Sequence, residues 1–320
     1  IIDRETNQLI AARDAFGIKP LYLTRRGKLA AFASEMRPLA RLIPISVDRV
    51  SLAELLVFRF AAGRLSNLAG IESLPGGTIM VRSLATGDEH TRRFADPLAT
   101  IDPDPSIDME SAIAQSRDVI IRSVRDHLAS DVGYAVQLSG GVDSSLVSAI
   151  AQRETGGTLA SYGVRIPDFD QDEAPYRTQA VKRIGLDHTE ITLDEHAFAD
   201  ALPRAVRHME GPVPHYGCVM LMLLCDRIRT RSKVVLTGEG ADEMFGGYKR
   251  YDIWRDLARK GRLAKLVPEW MWPFLQRWRE IQRYSGHDPA IFAAVYHDFL
   301  ALNALFPELI PVPGAREAAA

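Results

Sequence analysis

The sequence predicts an α/β protein: a parallel sheet with helices on both faces, preceded by a smaller α+β segment. Two observations support this fold class. After residue 108, short apolar runs of strand length alternate with longer runs of helical periodicity. Before residue 97, short strand-like runs and turns dominate. Strands that alternate with helices favour a parallel sheet, because the helices between parallel strands cover its faces.

Residues 1–96 are predicted to form a small α+β domain. Its predicted strands are residues 9–12, 29–33 and 78–82. A helix is predicted at residues 50–60, with Asp48 or Ser51 as its N-cap. No cysteine, Ser–His pair or metal-ligand cluster stands out in this segment, so its residues alone indicate no chemistry.

A stretch rich in proline and aspartate, residues 97–108, predicts a stiff, solvated linker before a second domain at residues 109–320. The second domain begins with a predicted helix at residues 109–128, which Ser106 or Asp108 can cap. An apolar stripe is expected along that helix through Ile113, Val119, Ile120 and Val124. Further strands are predicted at 134–138, 159–166, 188–193 and 233–237, and further helices at 144–152, 174–184, 195–209 and 217–230.

Length, charge and hydropathy exclude several classes of protein. The chain has 320 residues, more than one typical domain, and its 39 basic and 41 acidic residues give a net charge of −2. A near-neutral balance argues against a nucleic-acid partner, because nucleic-acid-binding surfaces are basic. The longest apolar run, Val219 to Cys225, is far too short to span a bilayer, and no signal peptide is visible. We therefore expect no membrane partner and a cytoplasmic location.

The two cysteines of the chain, Cys218 and Cys225, lie seven residues apart on an apolar stretch. We expect buried thiols on one face of a helix rather than a disulfide, and no Cys-x-x-Cys motif is present. This expectation fits a reducing compartment. The sequence leaves the oligomeric state open, a homodimer included.

The segment Ser139–Ser145 lies between a predicted strand and a helix start and is rich in glycine and serine. Gly140 and Gly141 permit backbone angles and close approaches that a side chain would block. The N–H groups of the helix start, its positive dipole end and three serine hydroxyls attract an anion, for which a phosphate or pyrophosphate is expected. Asp143 would repel that anion unless a cation lies between them, which indicates Mg²⁺.

A tight turn with a serine N-cap and no ligand is the alternative interpretation of this segment. The hydroxyls and the carboxylate around the two glycines favour the phosphate site over that alternative. The segment is not a Walker A loop, since no lysine follows the glycines.

A second motif, Thr237–Glu243, follows a predicted buried strand and carries three carboxylates within five residues. Clustered carboxylates repel one another unless they are solvated or share a cation, and a solvated acidic turn is the alternative interpretation. Because parallel sheets bind ligands at the carboxyl ends of their strands, we expect both motifs at one site. Asp242 would be a second Mg²⁺ ligand, facing Asp143 across the pyrophosphate. Glu239 would lie nearer the carbonyl group of a reacting substrate, where its carboxylate could act as a base and take a proton from an incoming amine.

The segment Ser139–Ser145 resembles the PP-loop of the N-type ATP pyrophosphatases. Together with Thr237–Glu243, it resembles the asparagine synthetase (glutamine-hydrolysing) family and its relatives, the β-lactam and carbapenam synthetases. Residues 13–22, 32–35 and 74–77 resemble the later part of a class II glutamine amidotransferase domain, which has an N-terminal-nucleophile fold. The resemblance thus implies a PP-loop (adenine nucleotide α-hydrolase-like) synthetase domain after the C-terminal part of a glutaminase domain.

This resemblance implies an ATP-dependent ligase. A carboxylate would react with ATP to give an acyl-adenylate and pyrophosphate, and glutamine-derived ammonia would then give the amide and AMP. The implied cofactors are ATP and Mg²⁺, with Glu239 as the catalytic residue and Asp143 and Asp242 as the metal ligands. The expected ATP-binding residues are Leu138, Ser139, Gly140, Gly141, Asp143, Ser144, Ser145, Val164, Thr237 and Gly238.

Aspartate, which would give asparagine, is the first expectation for the acceptor carboxylate. However, residues 210–218 differ from the small, Ser/Thr-rich segment of asparagine synthetases. The alternatives are amidation or cyclisation of a sugar, peptide or β-lactam-type carboxylate, another PP-loop enzyme such as a tRNA-thiolating one, and a non-catalytic nucleotide-binding protein. His215 and Tyr216 are candidates to line an acceptor pocket, and a Pro-rich loop that caps the next helix is the simpler interpretation.

Two residues of the resembled family have no counterpart in this sequence: the N-terminal nucleophilic cysteine and a later lysine. We therefore expect an internal fragment that hydrolyses no glutamine by itself and is incomplete for catalysis. Beyond Tyr251 the resemblance fades. The helical, Arg-rich stretch that follows is expected to pack rather than to bind nucleic acid, and its tryptophans are Trp254, Trp270, Trp272 and Trp278.

Overall fold

The computed structural model describes residues 1–248 and Tyr251, apart from Lys28, Ala62, Leu65 and residues 168–172. The described residues divide into two compact units. Among the described residues, the first unit contains residues 1–103 and 209–214, and the second contains residues 104–208 and those from 215 to 251. The tryptophan-containing stretch after Tyr251 lies outside the described residues.

The described residues of the first unit form short strands and two helices. In chain order they are β1 (Ile2–Asp3), β2 (Gln8–Ala12), β3 (Tyr22–Arg26), β4 (Leu29–Ala33), α1 (Met36–Ala40), α2 (Arg49–Phe58), β5 (Ile71–Ser73), β6 (Thr78–Ser83) and β7 (Glu89–Arg93). The strands form two antiparallel sheets, with the orders β1-β2-β6-β7 and β4-β3-β5. The predicted α+β character of this segment is confirmed.

Alternating burial along the strands creates the core of the first unit. In β2, Leu9 and Ala11 are buried while their neighbours are more exposed, as expected for a strand with one covered face. These two residues pack with Leu23, Leu74 and Met80, which come from β3, the turn before β6, and β6 itself.

The segment 209–214 joins the first unit through one buried carboxylate. Glu210 accepts hydrogen bonds from the backbone N–H groups of Met36 and Arg37, at 2.6 and 2.8 Å, and so caps the start of α1. Its side chain is 7% exposed and contacts the Arg37 guanidinium at 3.1 Å. This carboxylate therefore has a structural role in the first unit.

The second unit alternates helices and strands. In chain order they are α3 (Met109–His127), β8 (Tyr134–Gln137), α4 (Val142–Thr155), β9 (Ala160–Arg165), α5 (Ala174–Ile184), β10 (Asp187–Thr192), α6 (Glu195–Met209), α7 (Tyr216–Ile228), β11 (Val234–Leu236) and α8 (Ala241–Phe245). The strands form one parallel sheet with the order β10-β9-β8-β11. Among the described residues, no helix combines the length and apolarity that a bilayer crossing needs.

Helices cover both faces of this sheet. Val136 of β8 packs on one face, in a core that includes Val124 of α3 and Ile150 of α4. The adjacent Ala135 points to the opposite face and packs in a cluster with Leu224 of α7. Burial of successive residues leaves β8 without a solvent face, which is the pattern of an internal strand in a parallel sheet. The predicted fold class is confirmed.

The starts of α2 and α3 and the end of α4 lie at residues that the sequence marks. Asp48 accepts the backbone N–H of Ser51 at 2.8 Å at the start of α2. Asp108 accepts the backbone N–H of Ser111 at 2.8 Å at the start of α3. Gly156, with a φ of +65°, ends α4 in the left-handed conformation that favours glycine.

The apolar stripe predicted along α3 is only partly correct. Val124 is buried and Ile120 packs beside its cluster, but Ile113 is 61% and Val119 is 56% exposed. Val119 lies roughly 140° around the helix from Val124, so the two residues cannot both face the sheet. Ile113 is on the same side as Val124 but about three turns earlier, beyond the covered part of the helix.

The expectation of two buried thiols is wrong for Cys225, which is exposed, while Cys218 is half-buried; both cysteines are free. The buried residues of α7 are Val219, Leu224 and Ile228. Cys225 directly follows Leu224 and is therefore rotated by about 100° from the buried side of the helix.

Candidate active site

The two motifs predicted to carry chemistry leave neighbouring strands at the same edge of the sheet. Residues 138–141 follow β8, and residues 237–240 follow β11. The two strands are adjacent and parallel, with Val136 opposite Leu236. Their carboxyl ends therefore lie side by side, and this is the edge at which open α/β sheets bind ligands.

Hydrogen bonds of Ser139 and Ser144 stabilise the conformation of the loop after β8. Ser144 Oγ lies 2.9 Å from Ser139 Oγ and accepts the backbone N–H of Ser139 at 3.2 Å. Ser139 Oγ also accepts the backbone N–H of Gly141 at 3.1 Å. Of the three hydroxyls expected to donate to a phosphate, that of the buried Ser144 is thus already engaged within the loop, whereas Ser145 is only half-buried.

Gly140 is required both by its backbone angle and by its surroundings. Its φ of +108° is rarely adopted by residues that carry a side chain. A Cβ at this position would lie 2.7 Å from the carbonyl oxygen of Glu173 and 2.8 Å from the backbone nitrogen of Arg177. The loop therefore packs directly on the backbone at the start of α5.

The second motif touches the first through Gly238. A Cβ on Gly238 would lie 2.7 Å from the backbone nitrogen of Ser144 and 3.0 Å from Cβ of Asp143. The φ of Gly238 is not in the left-handed region, so the close approach rather than the backbone angle requires glycine here. The two motifs thus form one continuous surface at the carboxyl edge of the sheet.

Two carboxylates lie near each other where the motifs meet. Burial and the neighbouring Asp242 carboxylate raise the pKa of Asp143 above its ordinary value of 3.8. Two carboxylate oxygens, together with the oxygens of a bound phosphate, are the hard donors that Mg²⁺ takes, so the donor set fits this metal. No group of three or more His, Cys, Asp and Glu side chains in the described part of the chain could hold a metal. A metal at this edge would therefore depend on oxygens from its ligand.

Glu239 lies at the exposed rim of this surface. Its backbone N–H donates to Thr237 Oγ1 at 3.3 Å, and its carboxylate pairs with no residue that the structure describes. Glu243, by contrast, accepts the Tyr248 hydroxyl at 2.8 Å. Both glutamates of the second motif are exposed, and Glu239 is the one whose carboxylate has no partner among the described residues.

Two of the residues expected to contact a nucleotide contribute mainly to the core. The side chain of Leu138 is fully buried, and its backbone N–H donates to the carbonyl of Tyr162 at 2.8 Å. Val164 of β9 packs against the cluster on the α7 face of the sheet. A ligand contact from Leu138 would therefore come from its backbone.

Two charged residues outside the motifs complete the surroundings of the loop, and sequence reasoning missed both. Arg177 of α5 is 2% exposed, and its guanidinium donates to the carbonyl of Ser139 and to the Glu190 carboxylate of β10. Gly163 of β9 makes room for it, because a Cβ there would lie 2.6 Å from Arg177 Cδ. The sequence signal is weak, since a lone arginine on a helix and a glutamate on a strand are usually solvated.

The segment considered for an acceptor pocket forms a helix start in the structure. His215 is the N-cap of α7, and its Nδ1 accepts the backbone N–H of Gly217 at 3.0 Å. The Tyr216 ring lies beside the His215 ring, with centroids 4.1 Å apart. The simpler interpretation, a Pro-rich loop that caps the next helix, is confirmed.

Comparison with protein families assigns both parts of the chain. The family model described as Asparagine synthase matches residues 115–302, which is more than half of the chain. The family model described as Glutamine amidotransferase domain matches residues 1–95. Both matches confirm the resemblance drawn from the two motifs and from the N-terminal segment.

Several curated relatives are similar over most of this chain. Asparagine synthetase [glutamine-hydrolyzing] 1 of Bacillus subtilis is 28% identical over 253 residues, which cover 78% of this chain and 39% of that protein. A putative asparagine synthetase [glutamine-hydrolyzing] of Mycobacterium tuberculosis is 29% identical over 286 residues, covering 84% and 44%. Amidase chry2 of Gibberella zeae is 26% identical over 320 residues, covering 93% and 45%. The chain spans less than half the length of these relatives.

The family matches, the parallel sheet and the paired motifs agree with one another. The glycine- and serine-rich loop and the acidic motif both fall inside the Asparagine synthase match, and the antiparallel sheets of the first unit fall inside the other match. The chain therefore belongs to the asparagine synthase family, and its second unit has the PP-loop synthetase fold.

Proposed function

We propose that this chain activates a carboxylic acid with ATP, as part of an enzyme that forms an amide. The carboxylate attacks the α-phosphorus of ATP to give an acyl-adenylate and pyrophosphate, and ammonia then displaces AMP. Aspartate is the proposed acid and asparagine the product. The observation that carries this proposal is the close approach of Gly238 to Ser144, which joins an anion-binding loop to a pair of carboxylates.

The loop after β8 suits the pyrophosphate part of ATP. The N-cap of α4 is Gly141, which has no side chain to accept the N–H groups of the first helical turn. The helix dipole favours negative charge at this end. The N–H of Gly140 makes no hydrogen bond within the described residues. These donors would stabilise the negative charge that develops on the leaving pyrophosphate.

Asp143 and Asp242 are proposed to hold Mg²⁺ against the phosphates. Bound there, the ion would neutralise phosphate charge and so favour departure of pyrophosphate. The protein's contribution is to keep two carboxylates close together beside the loop, where burial and the Asp242 charge both raise the pKa of Asp143.

Glu239 is proposed as the base that takes a proton from the attacking ammonia. Its exposed carboxylate lies one residue from Gly238, which contacts the loop, so it is placed near the acid being activated. In the whole protein, the glutamine amidotransferase domain would release that ammonia from glutamine, and residues 1–95 are part of that domain.

A carboxylic acid other than aspartate is the second candidate substrate. In the segment 210–217, Glu210 caps α1 and His215 caps α7, so both side chains already have structural partners. One similar protein is named an amidase, a name that does not restrict the acceptor to aspartate. Amidation or cyclisation of a sugar, peptide or β-lactam-type carboxylate is therefore the alternative to asparagine synthesis.

Exchange of labelled pyrophosphate into ATP by the whole protein tests the proposal and separates the candidates. Exchange that depends on aspartate supports asparagine synthesis. Exchange that depends on another acid, from a panel of sugar, peptide and β-lactam-precursor carboxylates, supports the second candidate. Nucleotide binding without exchange for any acid would overturn the proposal and identify a non-catalytic relative.

Gly238→Ala is expected to lower the affinity of the chain for Mg²⁺–ATP by about tenfold, because its methyl group would push the second motif away from the loop. Titration calorimetry measures this affinity. Gly157→Ala is the matched control, since nothing lies within 4 Å of its Cβ position and its φ is likewise not left-handed. Equal affinities of the two variants would show that contact between the motifs plays no part in binding.

A further inference from the structure

We propose that Arg177 is a positioning residue, which orients the loop so that the N–H of Gly140 points at the phosphate site. This inference rests on the proposed function, because it concerns the same ATP site. Arg177 is 2% exposed, so it acts through the loop rather than by touching the ligand.

The guanidinium of Arg177 bridges the loop and the sheet. Its Nη1 donates to the carbonyl oxygen of Ser139 at 2.8 Å. Its Nε and Nη2 both donate to Glu190 Oε2, at 3.0 and 2.8 Å. Because the fork of a guanidinium is rigid, these bonds fix the Ser139 carbonyl relative to β10.

Because the peptide bond is planar, the hydrogen bond from Arg177 to the Ser139 carbonyl also fixes the direction of the Gly140 N–H. In a trans peptide, the carbonyl of Ser139 and the N–H of Gly140 point in opposite directions. The carbonyl points down at the buried Arg177, so the N–H points away from it, out of the loop. The φ of +108° at Gly140 and the absence of a Cβ allow this peptide orientation.

Burial of a guanidinium is unfavourable unless its donors are paired, and here the Ser139 carbonyl and the Glu190 carboxylate accept hydrogen bonds from it. Gly163 provides the space, since a Cβ there would lie 2.6 Å from Arg177 Cδ and 2.9 Å from the carbonyl oxygen of Leu138. On the same side of the sheet, His188 Nδ1 lies 2.9 Å from Ser161 Oγ. Burial and the Arg177 charge lower the pKa of His188, so this imidazole is neutral at neutral pH and adds no second cation.

Arg177→Lys tests the proposal, because lysine keeps the charge but cannot hold both the loop carbonyl and Glu190 in one rigid fork. We expect the affinity of the chain for Mg²⁺–ATP to fall by about tenfold, the size expected for one charge-assisted hydrogen bond. The affinity for AMP, which lacks the pyrophosphate group, should stay close to that of the wild type. A role in folding alone would lower both affinities together.

Arg231→Lys is the matched control. Arg231 donates to Asp187 at 3.0 Å, so it also pairs with a carboxylate of β10, but at the amino end of that strand. It is 56% exposed, and we expect both affinities to be unchanged in this variant. If Arg177→Lys does not fold, Glu190→Gln replaces it, and a loss of ATP affinity of about threefold that spares AMP is expected.

The outcomes separate this inference from the proposed function. No binding of Mg²⁺–ATP by the wild-type chain would contradict the proposed function itself. Wild-type binding together with an unchanged ratio of ATP to AMP affinity in Arg177→Lys, or in Glu190→Gln where it is used instead, would overturn only the role of Arg177.

Discussion

Replacement of both Asp143 and Asp242 by asparagine is expected to abolish the Mg²⁺ dependence of ATP binding by the chain. Each charge-assisted contact contributes about 1.5–3 kcal/mol, so the affinity for ATP in the presence of Mg²⁺ should fall by about a hundredfold or more. In EDTA the loss of ATP affinity should disappear or become a gain, because the variant no longer repels the phosphates. It should then bind ATP at least as well as the wild type. Titration calorimetry with Mg²⁺ and with EDTA measures both effects.

Asp131→Asn is the matched control for this experiment, because Asp131 is an exposed aspartate in the turn before β8. It removes one negative charge from the same unit and should leave ATP binding unchanged in both buffers. A wild-type chain that binds ATP equally well with Mg²⁺ and with EDTA would contradict the two-aspartate site.

Asp143→Asn by itself is expected to stabilise the ligand-free chain at pH 7, with a melting temperature higher by about 2 °C. The reason is that burial and Asp242 raise the pKa of Asp143 above 3.8. Its ionised form therefore costs stability at every pH above the raised pKa, and this cost disappears as the pH falls below 3.8. Calorimetric scans in EDTA should show a difference at pH 7 that shrinks towards pH 4, and a lower melting temperature for the variant at pH 7 would contradict this account.

Glu239→Gln in the whole protein is expected to lower amide formation by a factor of about 100 or more, the scale of a lost general base. ATP binding and pyrophosphate exchange should persist, since the adenylation step does not need this carboxylate to take a proton. Pyrophosphate exchange reports formation of the acyl-adenylate, whereas amide formation also requires the attack of ammonia on it. A variant that loses exchange as well would assign Glu239 to the orientation of the acid or the metal instead.

Glu243→Gln provides the comparison for Glu239→Gln, because it changes a glutamate of the same motif that is engaged with the Tyr248 hydroxyl at 2.8 Å. We expect its amide formation to stay within about threefold of the wild type, since the amide oxygen of glutamine can still accept that hydrogen bond. Near-wild-type amide formation in Glu239→Gln would reject Glu239 as a catalytic residue.

Much of the fold was predictable because it depends on local sequence. Asp48 and Asp108 cap the helices that follow them, and Gly156 ends α4, since each of these effects involves only a few neighbouring residues. Periodicity was less reliable where only one side of a helix is covered. Ile113 lies on the correct side of α3 but is exposed, because periodicity gives the direction of a side chain and not what covers it.

The candidate site divides in the same way. The sequence alone identified the glycine- and serine-rich loop and the acidic motif, because special backbone angles and clustered charges are visible in residue types. Gly140 is an example, with a φ of +108° that glycine readily adopts. The ligand roles of the named site residues stay predictions. The expected packing of the tryptophans after Tyr251 also stays a prediction, because they lie outside the described residues.

Only the tertiary structure decided which groups surround the loop. The strand order β10-β9-β8-β11 places Gly238 against Ser144 and brings Arg177 and Glu190 beneath the carbonyl of Ser139. These contacts join residues that are 13 to about 100 positions apart in the chain, and no local pattern encodes them. They follow from the pairing of strands and the packing of helices on the sheet, which depend on the burial of the whole core rather than on any one segment.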